Sequence, residues 1–276
     1  MALATSTART RVDDTLLQAL PSRLTRRDRY LLRLLYEHDV LTTTHVCDVG
    51  FATRRRTTYR LAQLYGLRLI DRVRPLVTRG SGEHHWVLDE AGAVVVAAER
   101  GLTRRELGWR REDALALASG GQRLEHLVGV NGLFVGLLKT SRRQPGARLS
   151  VWWSERRCAA EWGDLVRPDG YGVWTEAGNT VAFALEYDRG TERPAERLAA
   201  KLPGYQELMA EDVRPNWLLV AFISERHEQV AREALAVTTL PIATATVRTG
   251  ASPAAPIWQP LDGDYRVALC ELSCRP

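Results

Sequence analysis

The chain has 276 residues, of which 45% are hydrophobic and 26% are charged, and its net charge is +5. These values are typical of a globular protein with about two domains, and a chain of this length can bury a core without disulfides. No apolar run reaches the roughly 20 residues of a membrane helix, and Met1–Asp14 lacks the apolar core of a secretory signal, so we expect a cytoplasmic protein with no membrane partner.

The positive charge is concentrated in the N-terminal part of the chain. Residues 1–120 hold 20 arginines and 14 acidic residues, a net charge of +6, whereas residues 121–276 have a net charge of −1. The sequence contains only two lysines, Lys139 and Lys201, against 36 arginines, a bias that agrees with a GC-rich genome. The clustering of the arginines is therefore more informative than their number.

The N-terminal residues predict a helical domain that ends in a hairpin. Capping residues and apolar spacing indicate helix, helix, helix, strand, turn and strand, in this order. The expected spans are 25–38, 43–49, 53–65, 67–76, 78–82 and 85–89. This is the order of a winged helix-turn-helix, which we expect over residues 22–101. Residues 1–21 show no periodicity and are expected to form a flexible arm.

The third helix and the wing of this domain are rich in arginine. Residues 51–79 hold eight arginines and one acid, Asp71. In a helix-turn-helix the third helix enters the major groove, where arginine reads guanine and glutamine reads adenine, and arginines in the wing neutralise phosphates. We therefore expect double-stranded DNA as the partner, with Arg79 on a phosphate. The candidate DNA-binding residues are Arg54, Arg55, Arg56, Tyr59, Arg60, Gln63, Arg72, Arg74 and Arg79.

A second domain of mixed helices and strands is predicted after a short helix and linker over residues 102–121. The expected helices are 122–142, 194–209 and 225–235. The expected strands are 149–153, 165–174, 180–187, 217–223 and 242–247. Helix, three strands, helix and strand is the core order of the PD-(D/E)XK nuclease fold, a three-layer α/β fold. We expect this fold over residues 122–260, followed by a C-terminal tail over residues 261–276.

Carboxylates occur where a nuclease of this fold would need them. Asp169 follows a proline in the second strand, and Glu186 ends the apolar run of the third. Such a pair can hold Mg²⁺ or Mn²⁺, which would activate water for attack on a phosphate. Residues 186–190, Glu-Tyr-Asp-Arg-Gly, resemble the Asp-Tyr-Lys-Thr-Gly signature of the exonuclease branch of this superfamily. Asp188 stands in place of the lysine, which favours a degenerate site or a cation that has moved to Lys201 or Arg189. Asp188 is a third candidate metal ligand.

The same resemblance implies further residues of a catalytic site. The exonuclease branch has a histidine on its first helix, where His126 stands, and a Gln-x-x-x-Tyr pair on the following helix, where Lys201 and Tyr205 stand. The resemblance to this nuclease superfamily implies a Mg²⁺-dependent DNA endonuclease or nickase. The candidate catalytic residues are Asp169, Glu186, Lys201, Tyr205 and His126.

Residues 24–260 also resemble the replication-relaxation family of actinobacterial plasmids and integrated mobile elements. The segments that carry this resemblance are Leu24–Asp28, Gly80–Gly82, Glu125–His126, Val130–Asn131, Arg167–Asp169, Leu185–Glu192, Lys201–Leu202 and Tyr205. The resemblance implies a role in plasmid replication, DNA relaxation or copy control.

Two other functions are open from the sequence. One is a non-enzymatic regulator of transcription or replication, whose C-terminal domain mediates homodimerisation or partner binding, and the missing motif lysine favours it. In that case Asp169 and Glu186 are structural and pair with Arg167 or Arg189. The other is a winged helix that binds protein, which the net charge of +7 in residues 51–79 disfavours.

Overall fold

The computed structural model describes residues 11–75, 82–190, 194–210, 215–248 and 250–274. Contacts divide the chain into two compact units, Met1–Val128 and Gly129–Pro276, and both units contain helices and strands. No helix in these described ranges is long and apolar enough to span a membrane.

The first unit contains six helices, three short strands and the start of a seventh helix within the described residues. They are α1 (Asp14–Arg23), α2 (Arg26–His38), β1 (Leu41–Thr42), α3 (Thr43–Gly50), α4 (Arg54–Gly66), β2 (Ile70–Val73), β3 (His85–Leu88), α5 (Glu90–Glu99), α6 (Arg111–Ala118) and α7 (Gln122–Ser141). The three strands form an antiparallel sheet in the order β1-β3-β2.

Threonine side chains cap the N-termini of α2, α3 and α4. At the start of α2, Thr25 Oγ1 accepts from the Asp28 N–H at 3.2 Å, and Asp28 Oδ2 accepts from the Thr25 N–H at 2.7 Å, which completes a capping box. Thr42 caps α3, and Thr53 caps α4 by accepting from the Arg56 N–H at 3.3 Å. The predicted order of three helices and two strands is confirmed for the described residues, and the short strand β1 is added between α2 and α3. Most of the predicted turn over residues 78–82 lies outside the described residues.

Apolar side chains of these helices and strands form the core of the first unit. Gly92 lets α5 lie against the sheet, because a Cβ there would come within 2.1 Å of the Leu69 carbonyl oxygen. The buried core residues include Leu20, Leu32, Leu35, Leu41, Leu61, Leu64, Val87 and Val96.

Three expectations about the first unit and its boundary were wrong. Part of the supposed arm is α1, which Asp13 caps and which buries Leu16 and Leu20. Most of the supposed linker belongs to the unit, because α6 buries Ala114 and Ala118. The boundary between the units falls within α7 rather than before it.

The second unit is built around a six-stranded sheet in the order β4-β5-β6-β7-β8-β9. After α7, its elements are β4 (Arg148–Ser154), α8 (Glu155–Trp162), β5 (Gly170–Glu176), β6 (Asn179–Asp188), α9 (Pro194–Ala210), β7 (Trp217–Phe222), α10 (Glu225–Leu235), β8 (Ile242–Thr246), β9 (Gln259–Pro260) and a 3₁₀ helix (Leu269–Cys274). Strands β4, β5 and β6 are antiparallel, whereas β6, β7 and β8 run parallel.

Helices cover both faces of this sheet. Strand β7 is buried along its whole length, and its side chains alternate between two apolar cores. Leu219 packs with α7 and the 3₁₀ helix, and its neighbour Leu218 packs with α8, α9 and α10. This alternation is the period of two expected for a strand that is buried on both faces.

Three expectations about the second unit were also wrong. Helix α8 was not predicted, and β5 begins at Gly170 instead of residue 165. The supposed C-terminal tail is part of the core, because Leu269 and Leu272 are fully buried. The Trp217 indole N–H donates to the Leu272 carbonyl at 3.0 Å, which fixes this segment to the sheet.

Candidate functional site

Hydrogen bonds between adjacent strands place Asp169 beside Glu186. The Asp169 N–H donates to the Leu185 carbonyl at 3.0 Å, and Asp169 Oδ2 accepts from the Tyr187 N–H at 2.8 Å. These two bonds extend the pairing of β5 and β6 beyond Gly170, which pairs with Leu185. The Asp169 carboxylate is therefore fixed at the end of β5, close enough for its charge to act on Glu186.

Two side chains of α9 converge on Glu186. Lys201 Nζ donates to both carboxylate oxygens of Glu186 at 2.7 Å, and the Tyr205 hydroxyl donates to one of them at 2.5 Å. Because residues four apart share a helix face, α9 presents both groups to the same carboxylate. Lys201 Nζ also donates to the Arg167 carbonyl at 3.3 Å. We call Asp169, Glu186, Lys201 and Tyr205 the Glu186 centre.

The charge on Glu186 is poorly stabilised despite these contacts. Its side chain is only 12% exposed. Burial, and then the neighbouring Asp169 carboxylate, raise the pKa of Glu186 to about 7, although Lys201 and Tyr205 act in the opposite direction. Burial and the Glu186 carboxylate likewise raise the pKa of Tyr205 well above its ordinary value. A strongly shifted group with a specific charged partner is typical of functional sites.

Asp188 has a local role in the loop after β6. Its Oδ1 accepts from the Gly190 N–H at 2.6 Å, and Gly190 has a φ of +77°, which favours glycine. Among the described residues, no three His, Cys, Asp or Glu side chains are grouped so that they could hold a metal ion. The three predicted ligands Asp169, Glu186 and Asp188 are thus not brought together as one such group.

The other predicted members of this site have different placements. His126 lies half-buried on the part of α7 that belongs to the first unit, and its catalytic role stays a prediction. Lys201 pairs with Glu186, and it is one of the two residues, with Arg189, that were predicted to replace the missing motif lysine. Arg167 contacts the Glu186 centre through its backbone carbonyl, which accepts a hydrogen bond from Lys201.

A glycine that the sequence analysis did not single out supports the Glu186 centre. A Cβ on Gly129 would lie 2.3 Å from Cε1 of Tyr187, so the tyrosine ring packs directly on the backbone of α7. The N–H of the same tyrosine holds Asp169. A glycine inside a long helix was the available signal, since it lowers helix stability unless a close approach requires it.

The first unit exposes one face of α4. Thr57, Leu61 and Leu64 are buried, and Tyr59 on the opposite side is 68% exposed. Arg55, Arg56, Tyr59 and Gln63 form this exposed face, which we call the α4 face.

One predicted DNA-binding arginine, Arg60, joins two helices, and its contact with DNA stays a prediction. Arg60 of α4 donates to both carboxylate oxygens of Asp28 on α2, at 3.0 and 2.6 Å, and Asp28 is only 1% exposed. Arg60 Nη1 also donates to Gln63 Oε1 at 2.7 Å. Burial raises the pKa of Asp28, but the hydrogen bonds from Arg60 and Thr25 outweigh it, so the pKa is lowered. The structure therefore gives Arg60 a role in stability.

Three other predicted arginines line a concave surface beside α4. Arg54 is paired with Glu83 at 3.0 Å, and Arg72 lies over the Tyr65 ring at 4.7 Å. Arg54, Arg72 and Arg74 line a cavity of about 370 Å³ between α4 and the strands β2 and β3. Arg79 lies outside the described residues, and its contact with a phosphate stays a prediction.

The charged side chains that line this cavity are three arginines, Arg54, Arg72 and Arg74, and one acid, Glu83. Arg74 Nη2 is 3.4 Å from His84 Nδ1. Burial, followed by the charges of Arg74 and Arg72, lowers the pKa of His84. This field favours an anionic partner on this side of the unit.

A model of the replication-relaxation family matches residues 32–216, more than half of the chain. The chain belongs to this family. The match contains the α4 face and all four residues of the Glu186 centre, and it confirms the resemblance found in the sequence. The family's description connects the protein with replication. A search of curated proteins and a search of solved structures each found no match.

Proposed function

We propose that the protein binds double-stranded DNA of a plasmid or integrated mobile element and acts in its replication, relaxation or copy control. The first unit acts as a winged helix, with α4 as the recognition helix and the β2–β3 hairpin as the wing. The observation that carries this proposal is the α4 face, on which two arginines, a tyrosine and a glutamine are exposed together. Family membership supports the connection with replication.

The layout of the first unit supports a DNA surface of this kind. Helix α4 follows α3 after a short turn and precedes the hairpin, as a recognition helix does in a winged helix. Arg55 and Arg56 lie in its first turn, where side chains reach base edges and phosphates. Arg72 and Arg74 extend the positive charge onto the wing side.

Substitution of two residues on the α4 face tests the DNA proposal. Arg55→Ala/Arg56→Ala should weaken duplex binding by the full chain. The negative slope of log affinity against log salt should become shallower by about 1.8, since each phosphate contact contributes roughly 0.9. The matched control is Arg104→Ala/Arg105→Ala, which removes the same charge from exposed positions of the same unit. Equal affinities for both variants in fluorescence anisotropy would exclude α4 as the recognition helix.

A second candidate function is metal-dependent cleavage or nicking of DNA by the second unit. The order α7, β4–β6 meander, α9 and parallel β7 supports a PD-(D/E)XK-like fold. The observation that favours activity is the placement of the Asp169 carboxylate beside Glu186, where burial and the Asp169 charge raise the pKa of Glu186, because two neighbouring carboxylates fit a divalent cation. Asp169 and Glu186 would hold Mg²⁺ or Mn²⁺. A bound cation would activate water and offset charge on a phosphate.

Lys201 has a defined part in this second function. It orients the Glu186 carboxylate through both oxygens and brings a positive charge to the place where a phosphate would bind. Calorimetry should detect Mn²⁺ binding at millimolar concentration to the full chain and not to Asp169→Asn, whereas the exposed Asp164→Asn serves as control. If Mn²⁺ binds, Asp169→Ala should abolish nicking of supercoiled plasmid. Absence of Mn²⁺ binding would remove this function.

The non-enzymatic alternative has its own support. Lys201 and Tyr205 already bind both oxygens of Glu186, and Asp188 is engaged with its own loop. In that case the second unit is a homodimerisation or partner-binding domain. Sedimentation of the full chain, with and without duplex DNA, distinguishes a dimeric regulator from a monomer.

A further inference from the structure

The second unit has a positively charged surface that neither proposed function uses. Residues 126–154 contain no aspartate or glutamate, although they contain Lys139, Arg142, Arg143 and Arg148. These four residues lie where α7 ends and β4 begins, and we call them the α7–β4 patch. The patch carries four positive charges within ten residues of sequence.

The helix end explains only part of this charge. Cations in the last turn of a helix stabilise its free carbonyls, and this accounts for Lys139. Arg143 and Arg148 follow the end of α7 at Ser141, and both are exposed. Their positions beyond the helix end therefore point to a role outside the helix.

A depression beside the patch is open to a polar ligand. It has a volume of about 670 Å³ and is lined by Arg148 together with Ser141, Gly146, Ala147, Ser150 and Thr175. No carboxylate is part of this lining. Glu176 lies next to Thr175 in the chain, but its carboxylate accepts hydrogen bonds from Gln144 at 2.6 Å and Trp174 at 2.9 Å. A phosphate could thus approach Arg148 without meeting an unpaired acid among these residues.

The patch is separate from the Glu186 centre. Arg148 pairs with Thr175 at one end of the β4–β5 hairpin, whereas Ser154 pairs with Gly170, next to Asp169, at the other end. Arg148 and Ser154 are six residue positions apart along β4, which corresponds to about 20 Å. A ligand on the patch therefore occupies a different place on the unit from a ligand of the carboxylates.

We propose that the α7–β4 patch is a second DNA-binding surface, which holds the sugar–phosphate backbone and does not read bases. Arginine binds phosphate through paired N–H donors, and such contacts carry no sequence information. The large exposed apolar side chains of the described residues lie at other positions, so the patch lacks the apolar anchor of a membrane-binding surface. The inference rests on the proposal that the protein binds DNA.

The experiment compares full-length variants on one 40-base-pair duplex between about 50 and 200 mM salt. For Arg143→Ala/Arg148→Ala, the negative slope of log affinity against log salt should become shallower by about 1.8. The loss of affinity over this salt range should therefore become roughly tenfold smaller. Arg143→Lys/Arg148→Lys should keep the slope. The control Arg156→Ala/Arg226→Ala removes the same charge from exposed positions of the same unit and should also keep it.

A second background separates this inference from the proposed role of α4. In Arg55→Ala/Arg56→Ala protein, residual binding that disappears on adding Arg143→Ala/Arg148→Ala would support the patch even if α4 is not a recognition helix. Identical salt slopes for the patch variant and its control in both backgrounds would overturn the inference. It would also be overturned if the patch variant kept its DNA affinity but lost binding to phosphatidylserine vesicles.

Discussion

The two units each contain a carboxylate that is mostly shielded from water and bound to a cation, but the two carboxylates are in opposite electrostatic states. Asp28 in the first unit is bound by Arg60 through two hydrogen bonds, and its pKa is lowered. Glu186 in the second unit is bound by Lys201 through two hydrogen bonds, and its pKa is raised to about 7. An ion pair alone therefore does not determine how well a buried carboxylate is stabilised.

The difference lies in the other neighbours. Asp28 also receives hydrogen bonds from the backbone N–H and the hydroxyl of Thr25, at 2.7 and 2.6 Å. Glu186 receives one further bond, from Tyr205, but it also faces the negative charge of Asp169. Repulsion between two carboxylates in a shielded site makes protonation of one of them favourable.

This comparison separates structural acids from candidate functional ones. Glu228 in the second unit resembles Asp28, because Arg266, Thr244 and Thr246 bind its carboxylate and its pKa is lowered. Of these three acids, Glu186 is the one whose surroundings oppose its charge. That opposition is the reason to look for a cation or a proton at this place.

The largest effect is expected from removing the cation of the well-stabilised pair. Arg60→Ala should lower the free energy of unfolding by about 3 kcal/mol, because it leaves the Asp28 carboxylate buried without its charged partner. Urea denaturation of the full chain measures this change. Arg56→Ala, at an exposed position of the same helix, is the control and should change stability by less than about 0.5 kcal/mol. Equal effects of the two substitutions would show that the Asp28 pair does not stabilise the unit.

A smaller, pH-dependent effect is expected at Glu186. Because the folded protein holds this proton more tightly than the unfolded chain, the contribution of Glu186 to stability should fall as the pH rises from its ordinary pKa of 4.5 towards about 7. Glu186→Gln removes this titration and keeps an acceptor for Tyr205. It should therefore gain stability relative to the natural protein between pH 5 and pH 8, by about 2 kcal/mol. A stability difference that is constant with pH would contradict the raised pKa.

Contacts between residues close in the sequence could be predicted better than ion pairs between distant residues. Lys201 and Tyr205 were expected on one face of a helix after the Glu186 strand, and the structure confirms that they meet at Glu186. The spacing of four residues was enough, since helix geometry is local. The ion pair of Arg60 could not be predicted in this way, because Asp28 lies 32 residues earlier in the chain.

Short elements were missed for a similar reason. Helices α1 and α8 each bury only two residues in the described structure, and Pro21 lies inside α1. Local patterns this brief are typical of loops as well as of helices, so tertiary packing decides between them. The same holds for Leu269 and Leu272, whose burial depends on a sheet formed earlier in the chain.

The smallest effect is expected at Gly129, and it tests why Asp169 stays beside Glu186. Asp28 is held within the first turn of its own helix, whereas Asp169 is held by the N–H of Tyr187, whose ring packs on Gly129. In Gly129→Ala the ring must shift, because the new Cβ would lie 2.3 Å from it. We expect a loss of about 1 kcal/mol in unfolding free energy. We also expect a fall in the pKa of Glu186, since a displaced Asp169 repels it less.

The control for this substitution is Gly66→Ala at the end of α4, where a Cβ would meet no atom within 4 Å. An alanine there reduces the freedom of the unfolded chain, so stability should stay unchanged or rise slightly. Carboxyl ¹³C NMR titration of Glu186 then separates two explanations of the Gly129 effect. A loss of stability with an unchanged Glu186 titration would mean that the Tyr187 ring packs against α7 without positioning Asp169. A lowered pKa would show that contact between α7 and β6 maintains the repulsion between the two carboxylates.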